Sequence, residues 1–385
     1  MQNKHAVITF VTSDISTILV DGIFQAQIDA GYYPVFCCAS GSRIPHFLCR
    51  NPVKYFPIII KRQPSIVFDI ISFFHFSYIV WRIKPYAICY GTPKAAFIGA
   101  LVSRLFLVKK RIYILHGFRY ESFSGVARKV LVSIEKLICR LSTHILPVSR
   151  SLVNLGYIDC VFPSDNARVV KVLGAGSCGI AMEQFTPVSI AYKNRLRELH
   201  HISSDAFVIL YVGRLVPRKG IVDLLKAYYL LRNSLCGDDK LYLLLVGDFD
   251  RRQPLPAGIE KLVKSGSDNI IFYDFTDHVA PYYQLADLLC VPSHWEGFGN
   301  VAVEASACAL PVVGTAVTGL SDAIADSESG ILVNSHSPLS IYKAIKFYYS
   351  NPGLRASHGS RGLDWAKLFD RVLYAKSLAN FIDQA

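Results

Sequence analysis

Apolar residues fall in short runs along this chain, separated by longer stretches in which apolar positions recur at helical spacing. The alternation is clearest in the second half. Phe207–Val212, Leu241–Val246, Ile270–Tyr273, Leu288–Val291 and residues 311–313 are nearly continuous apolar runs, as expected of parallel strands covered by helices on both faces. Their spacing predicts repeated strand–helix units and a doubly wound α/β sheet. Residues 6–11, Tyr33–Cys38, Ala87–Tyr90, residues 111–115 and residues 144–148 carry the same rhythm less cleanly. Two similar α/β domains are therefore expected, 1–185 and 186–363, joined near residue 185 after the glycine-rich stretch KVLGAGSCGIAMEQFTP. Residues 364–385 read as a terminal helix that crosses back to the first domain.

Two helical segments of the first half are unusually apolar. Residues 65–81 (SIVFDIISFFHFSYIVW) carry Asp69 and His75 and fall at the lower limit of length for crossing hydrocarbon, so a non-spanning helix is expected. Residues 95–108 contain Ser103 and Arg104. Either helix fits a buried core or the bilayer interface.

At 385 residues the chain is long enough for two packed cores, and 52% apolar with only 18% charged residues argues against long disordered segments. The ten cysteines form no CxxC pair and no Cys/His metal spacing, and the start MQNKHAVITFVTS reads as a first strand rather than a secretion signal. Reduced, buried thiols in a cytoplasmic protein are expected. The net charge of +12 is unevenly placed: residues 1–190 hold 21 basic and 9 acidic side chains, residues 191–385 hold 20 of each. A basic half attracts anionic lipid, nucleic acid or a phosphorylated substrate. The interleaved exposed aromatics of single-strand binders are missing, so no nucleic-acid partner is expected.

Two segments of the second half carry chemistry that packing does not explain. In ILYVGRLVPRKGIVDLLKAY a strand ends at Val212, and Gly213, Arg214, Lys219 and Gly220 lead into a helix. A strand, a cationic loop and a helix N-terminus make an anion site, with Arg offering a bidentate fork and Lys a point charge. In VPSHWEGFGNVAVEASACALPVVGT, Glu296 and Glu304 stand eight positions apart around a turn and a helix start. The glycines there let backbone approach a ligand, and amides around Phe298 to Val301 can donate to phosphate oxygens.

These residues resemble the E-x7-E signature and the Gly-Arg-Leu...Lys-Gly phosphate loop of glycosyltransferase family 4, in the family's order and separation. The resemblance runs over nearly the whole chain. It implies the GT-B fold, two Rossmann-like domains facing across a cleft, and retaining sugar transfer. Arg214 and Lys219, with Gly213, would hold the nucleotide diphosphate; Phe298, Gly299 and Asn300 would lend amides near the distal phosphate and sugar; Glu304 would bind ribose and Glu296 the donor sugar. The segment YGTPKAAFIGALVSRLFLVKKRIYILHGFRYESFSG resembles a branch that builds O-antigen and capsule on undecaprenyl diphosphate. There His116, at a strand end before Gly117, would be an active-site histidine, and Ser13, Lys94, Arg119 and Glu121 are candidate acceptor contacts. This branch implies a UDP-N-acetylhexosamine donor such as UDP-N-acetylgalactosamine, a polyprenyl-diphosphate-linked sugar acceptor, an α-1,3 linkage and a peripheral place on the cytoplasmic face of the inner membrane.

The chain departs from the family pattern at Thr12, Ser13 and Asp14, where relatives often carry Gly-Gly, and at Gly179, Ile180 and Ala181, where they often carry Gly-Val-Asp. Asp248-Phe249-Asp250 matches a DxD spacing but follows a strand away from the expected diphosphate site, and reads as a loop with solvated acids. No metal and no cofactor are expected. A nucleotide-sugar epimerase of the same architecture would keep the nucleotide contacts but has no use for a lipid-facing surface; a non-enzymatic module binding anionic membrane or nucleic acid would explain the charge but not the glutamate pair.

Overall fold

The computed structural model describes residues 5–63, 65–163, 169–174, 176, 178–235 and 240–384. Among them, thirteen strands form two wholly parallel sheets of seven and six. The chain divides into two compact units, Met1–Gly179 with Arg371–Ala385, and Ile180–Asp370; the division falls between Gly179 and Ile180 rather than near residue 185.

In the first unit the strands are β1 (Ala6–Phe10), β2 (Tyr33–Cys38), β3 (Lys54–Pro57), β4 (Ala87–Tyr90), β5 (Lys110–Leu115), β6 (His144–Pro147) and β7 (Val169–Val170), in the spatial order β3-β2-β1-β4-β5-β6-β7. The second unit holds β8 (Phe207–Val212), β9 (Leu241–Val246), β10 (Ile270–Tyr273), β11 (Leu288–Val291), β12 (Val312–Thr315) and β13 (Gly330–Val333), ordered β10-β9-β8-β11-β12-β13. Each sheet thus reverses direction once, between β1 and β4 and between β8 and β11. In open parallel sheets ligands bind beyond the carboxyl ends of the strands at such a switch point.

The second core follows from sequence. The helix Ile221–Ser234 buries Ile221, Leu224, Leu225, Tyr228 and Leu231 on one stripe, against the fully apolar β8, β9 and β11 and against the helix Pro338–Ser350. In the first unit the two apolar helices part ways. Pro93–Leu105 is core, with Ala95, Ala96, Ile98, Ala100 and Val102 buried. Ile66–Ile83 packs beside it with only Ser72, Phe76, Ile79 and Val80 buried, and Ile66 (81%), Phe74 (66%) and Trp81 (60%) stand exposed. By length and composition this helix is apolar enough to cross a membrane.

The predicted terminal helix is two helices. Pro352–Ala366 ends in a short 3-10 turn, Asp370 is extended, and Arg371–Gln384 then packs in the first unit, burying Tyr374, Leu378, Phe381 and Ile382 there. Lys110, buried beneath it, donates to the carbonyls of Ile382 and Asp383. The cysteines are mostly buried free thiols, but Cys49 and Cys160 are exposed because each sits at the end of a surface helix or turn; Cys236 lies outside the described residues.

Glu135, on the helix Gly125–Leu141, is buried beneath the sheet and accepts a hydrogen bond from the Tyr113 hydroxyl at 2.8 Å. Burial pushes its carboxyl up from 4.5 to about 7. Unfolding releases a group that ionises at 4.5, so this residue costs no stability below that pH and an increasing amount as pH climbs to about 7. Glu135→Gln keeps an acceptor for Tyr113 and removes the titration. Thermal melts are expected to show the variant equal to the parent near pH 4.5 and more stable at pH 8, by roughly 3 kcal/mol at most. Parallel melting curves across that range would contradict the burial of a titrating carboxyl.

Candidate functional site

The loops that follow β8 and β11 are locked together at the switch point of the second sheet. Gly220 (φ 70) caps the helix Ile221–Ser234, and a Cβ on it would lie 1.9 Å from the Pro292 carbonyl oxygen. Only glycine permits that approach of two backbones. It brings Lys219 beside the loop 292–299, where the Lys219 ammonium is paired with the Glu296 carboxylate. Ser293 Oγ donates to the same Glu296 oxygen at 2.9 Å, and Thr315 holds the Ser293 carbonyl. Burial alone would raise the Glu296 carboxyl; Lys219, Ser293 and Arg218 outweigh it and hold the group below the ordinary carboxylate value.

Arg214 follows Gly213, whose N–H is bonded to the Val246 carbonyl at the end of β9. Its guanidinium meets Asp250 Oδ2 at 3.2 Å, and the Tyr211 hydroxyl donates to its carbonyl at 2.7 Å. Asp250 corrects the expectation of a solvated acid. Its side chain is 9% exposed and is gripped by both Arg214 and Arg252, because the loop after β9 runs beside the loop after β8, with Leu215 bridged to Phe249. Those hydrogen bonds, Arg252 first, depress its pKa. Asp248 is exposed and accepts from the Phe275 N–H at 3.2 Å.

Arg218 escaped the sequence reading. Its guanidinium lies 4.7 Å above the Trp295 ring, and burial together with the nearby Arg214 lowers its pKa. Three cations therefore share one corner, with Glu296 and Asp250 the acids among them.

Gly299 (φ 96) caps the helix Asn300–Ala307, and Phe298 is buried against Phe369. The N-terminal amides of this helix carry the partial positive charge that suits a phosphate. Glu304 comes just past the first turn, because the helix begins at Asn300. The Tyr283 hydroxyl donates to its Oε2 at 2.7 Å, which fixes the carboxylate. The structure thus gathers Gly213, Arg214, Lys219, Glu296, Phe298, Gly299, Asn300 and Glu304 on the carboxyl edge of one sheet.

In the first unit the loops after β1 and β4 are joined by Thr12 and Thr92, whose hydroxyls stand 2.6 Å apart. Ser13 is half-buried beside them. His116 follows β5, and a Cβ on Gly91 would come within 2.7 Å of its Nε2. Glycine at 91 is what leaves room for the imidazole. Burial lowers the His116 pKa from 6.5 to about 4, so the ring is neutral at physiological pH. Lys94 is tied down, with its ammonium 2.6 Å from Asp69 and 2.6 Å from the Gln63 carbonyl. Arg119 and Glu121 occupy a short 3-10 turn, Arg119 exposed and 6.0 Å from the Phe123 ring.

Residues 193–365 match the family model described as glycosyl transferases group 1. Over 309 residues the chain is 30% identical to the capsular polysaccharide biosynthesis glycosyltransferase CapM of Staphylococcus aureus, covering 79% of this chain and 78% of CapM. Among solved structures it is similar to sucrose-phosphate synthase from Thermosynechococcus elongatus (TM-score 0.78, 22% identity, 99% of both chains). It is also similar to HepE of Anabaena in complex with UDP (TM-score 0.79, 18% identity, 99% of this chain and 100% of HepE). The fold is the two-domain GT-B arrangement of parallel α/β sheets.

Proposed function

The chain belongs to the glycosyl transferases group 1, and from that premise we propose that it transfers an N-acetylhexosamine from a UDP-sugar to a polyprenyl-diphosphate-linked sugar. One observation carries the donor half: a buried Lys219–Glu296 pair flanked by Arg214 and Arg218, beside the amides of Gly299 and Asn300. A nucleotide diphosphate leaves with charge that develops as the bond to the sugar breaks. Fixed cations and helix-start amides meet that charge without reorganising. Glu304, held by Tyr283, accepts hydrogen bonds from the ribose diol, and Glu296 faces the donor sugar.

Transfer retains configuration in this proposal. The acceptor hydroxyl attacks from the face that the diphosphate vacates, through an oxocarbenium-like state, and the neutral His116 of the first unit accepts or shares a hydrogen bond at the sugar. CapM's role in capsular polysaccharide supports a surface-polysaccharide product, and the UDP-glucose complex of HepE supports a uridine donor. The acceptor's lipid draws support from the exposed face of the Ile66–Ile83 helix on a unit with excess basic charge. Such a helix lies in the interface plane, and cations add attraction to anionic lipid. In this proposal the protein acts peripherally, on the cytoplasmic face of the inner membrane.

The test is a screen of labelled nucleotide sugars against polyprenyl-diphosphate-linked acceptors in anionic vesicles, with product linkage read by NMR. A UDP-N-acetylhexosamine is expected to give an α-1,3-linked lipid product. Transfer only from a non-uridine donor, or only to a soluble acceptor, would overturn the assignment, as would release of an epimerised nucleotide sugar with no acceptor present.

A further inference from the structure

Three side chains from three separate segments of the second unit bring one oxygen and two nitrogens together. Asp223 lies in the first turn of the helix Ile221–Ser234, His294 in the loop after β11, and His336 in the loop after β13, next to Ser337, which caps the helix Pro338–Ser350. Asp223 Oδ2 and His294 Nε2 are 2.9 Å apart. The His294 and His336 rings stack with centroids 3.6 Å apart and planes at 30°. One ligand atom from each residue lies within 4.8 Å of the other two. No spacing in the sequence announces this trio.

Packing alone is a poor account of it. Asp223 is hydrogen-bonded to one of the two stacked imidazoles, His294. His336 also holds a left-handed backbone (φ 56), which costs a non-glycine residue about 1–2 kcal/mol, while its ring stays exposed against His294.

The geometry points to a binding site for one divalent transition-metal ion of the zinc class, with Asp223, His294 and His336 as ligands and water in the fourth position. Two imidazoles and a carboxylate suit such an ion, whereas magnesium and calcium prefer oxygen alone. Bonds of about 2.0–2.1 Å put tetrahedral ligand atoms about 3.3 Å apart, so the 2.9 Å Asp223–His294 contact opens slightly. The exposed His336 has the freedom to swing its ring outward so that the two lone pairs converge. The ion takes the place of the hydrogen between His294 Nε2 and Asp223 Oδ2, and the neutral imidazole coordinates through Nε2 while carrying its one proton on Nδ1.

Binding has a local consequence, which rests on the proposed donor site. The His294 N–H donates to the Arg218 carbonyl at 2.9 Å, and Trp295 and Glu296 come next in the chain. An ion on His294 and Asp223 therefore pins the Glu296 loop against the turn that carries Arg218 and Lys219.

The full chain, stripped with a chelator, is titrated with zinc chloride by calorimetry beside His336→Ala and Asp223→Asn. One equivalent is expected to bind the parent, with affinity falling at least tenfold in each variant. His336 is exposed, so its replacement leaves the fold intact, which melts in chelator verify. Cobalt(II) in the same site is expected to show visible bands of a nitrogen–oxygen tetrahedron without the near-ultraviolet thiolate band that exposed Cys49 or Cys160 would produce. Absence of binding, unchanged affinity in the variants, or a thiolate band overturns the site. Zinc is also expected to change the affinity for UDP at least threefold in the parent and not in His336→Ala; metal binding with no such change overturns the pinning. The metal titration needs no nucleotide, so its outcome is separable from that of the donor assignment.

Discussion

Lys219→Ala is expected to lower kcat by about 10²–10³-fold, the loss seen when one preorganised donor to a developing negative charge is removed. The buried ion pair changes what this variant reports. Lys219 and Glu296 are 19% and 12% exposed in their side chains, so removing the ammonium leaves a carboxylate stranded, at a cost of about 3–5 kcal/mol in stability. Glu296→Ala strands the ammonium in the same way. The double variant Lys219→Met with Glu296→Gln separates the effects. It removes both charges, keeps an acceptor for Ser293, and is expected to recover most of the lost melting temperature. Its turnover is expected to stay at the level of the worst single variant. Near-parental turnover in the double variant would mean that the pair is a structural strut and that the diphosphate is held elsewhere.

Replacing Gly91 with alanine is expected to cost about a hundredfold in kcat/KM without unfolding the first unit. The new methyl would stand 2.7 Å from His116 Nε2 and 3.2 Å from the Ile114 carbonyl oxygen. The carbonyl belongs to β5 and cannot yield, so the imidazole moves, and displacement of a positioned group by about 1 Å costs on the order of 10² in rate. Unchanged activity with a shifted ring, seen in a crystal structure of the variant, would remove His116 from the reaction. The pH profile supplies an independent check. With its pKa lowered to about 4 by burial, His116 is neutral above pH 5. The acid limb of kcat/KM is therefore expected to show no inflection near 6.5 from this residue.

Much of the fold was legible because its central strands are buried on both faces. β8, β9 and β11 were bounded to the residue, since every position in a covered parallel strand is apolar and the polar flanks mark its ends; the edge strand β10, with only Ile270 buried, was bounded as well because all four of its residues are apolar. β3, β7 and β13 were not seen. β3 has two half-buried residues between two exposed ones, β7 pairs through two residues only, and β13 opens with a glycine; strands at or near a sheet edge need little apolar surface. The site divided in the same way. Arg214, Lys219, Glu296 and Glu304 stood out because charges at strand ends beside glycines conflict with their apolar surroundings. Arg218, Ser293, Tyr283 and Asp250 did not, because their roles depend on partners brought together only by folding. Asp250 looked solvated when read alone, and its partner Arg214 lies 36 positions earlier.

The placement of the last fifteen residues makes the two units unequal when cut apart. Ile180–Asp370 is one uninterrupted stretch holding all six strands of its sheet, so a gene for that stretch alone encodes a whole core. The other unit is split. A product ending at Asp370 loses the side chains of Tyr374, Leu378, Phe381 and Ile382 that cover the helix Ile23–Asp29 and the buried Lys110. Premature termination there orphans residues far upstream, Lys110 standing 272 positions before its lost partner Ile382.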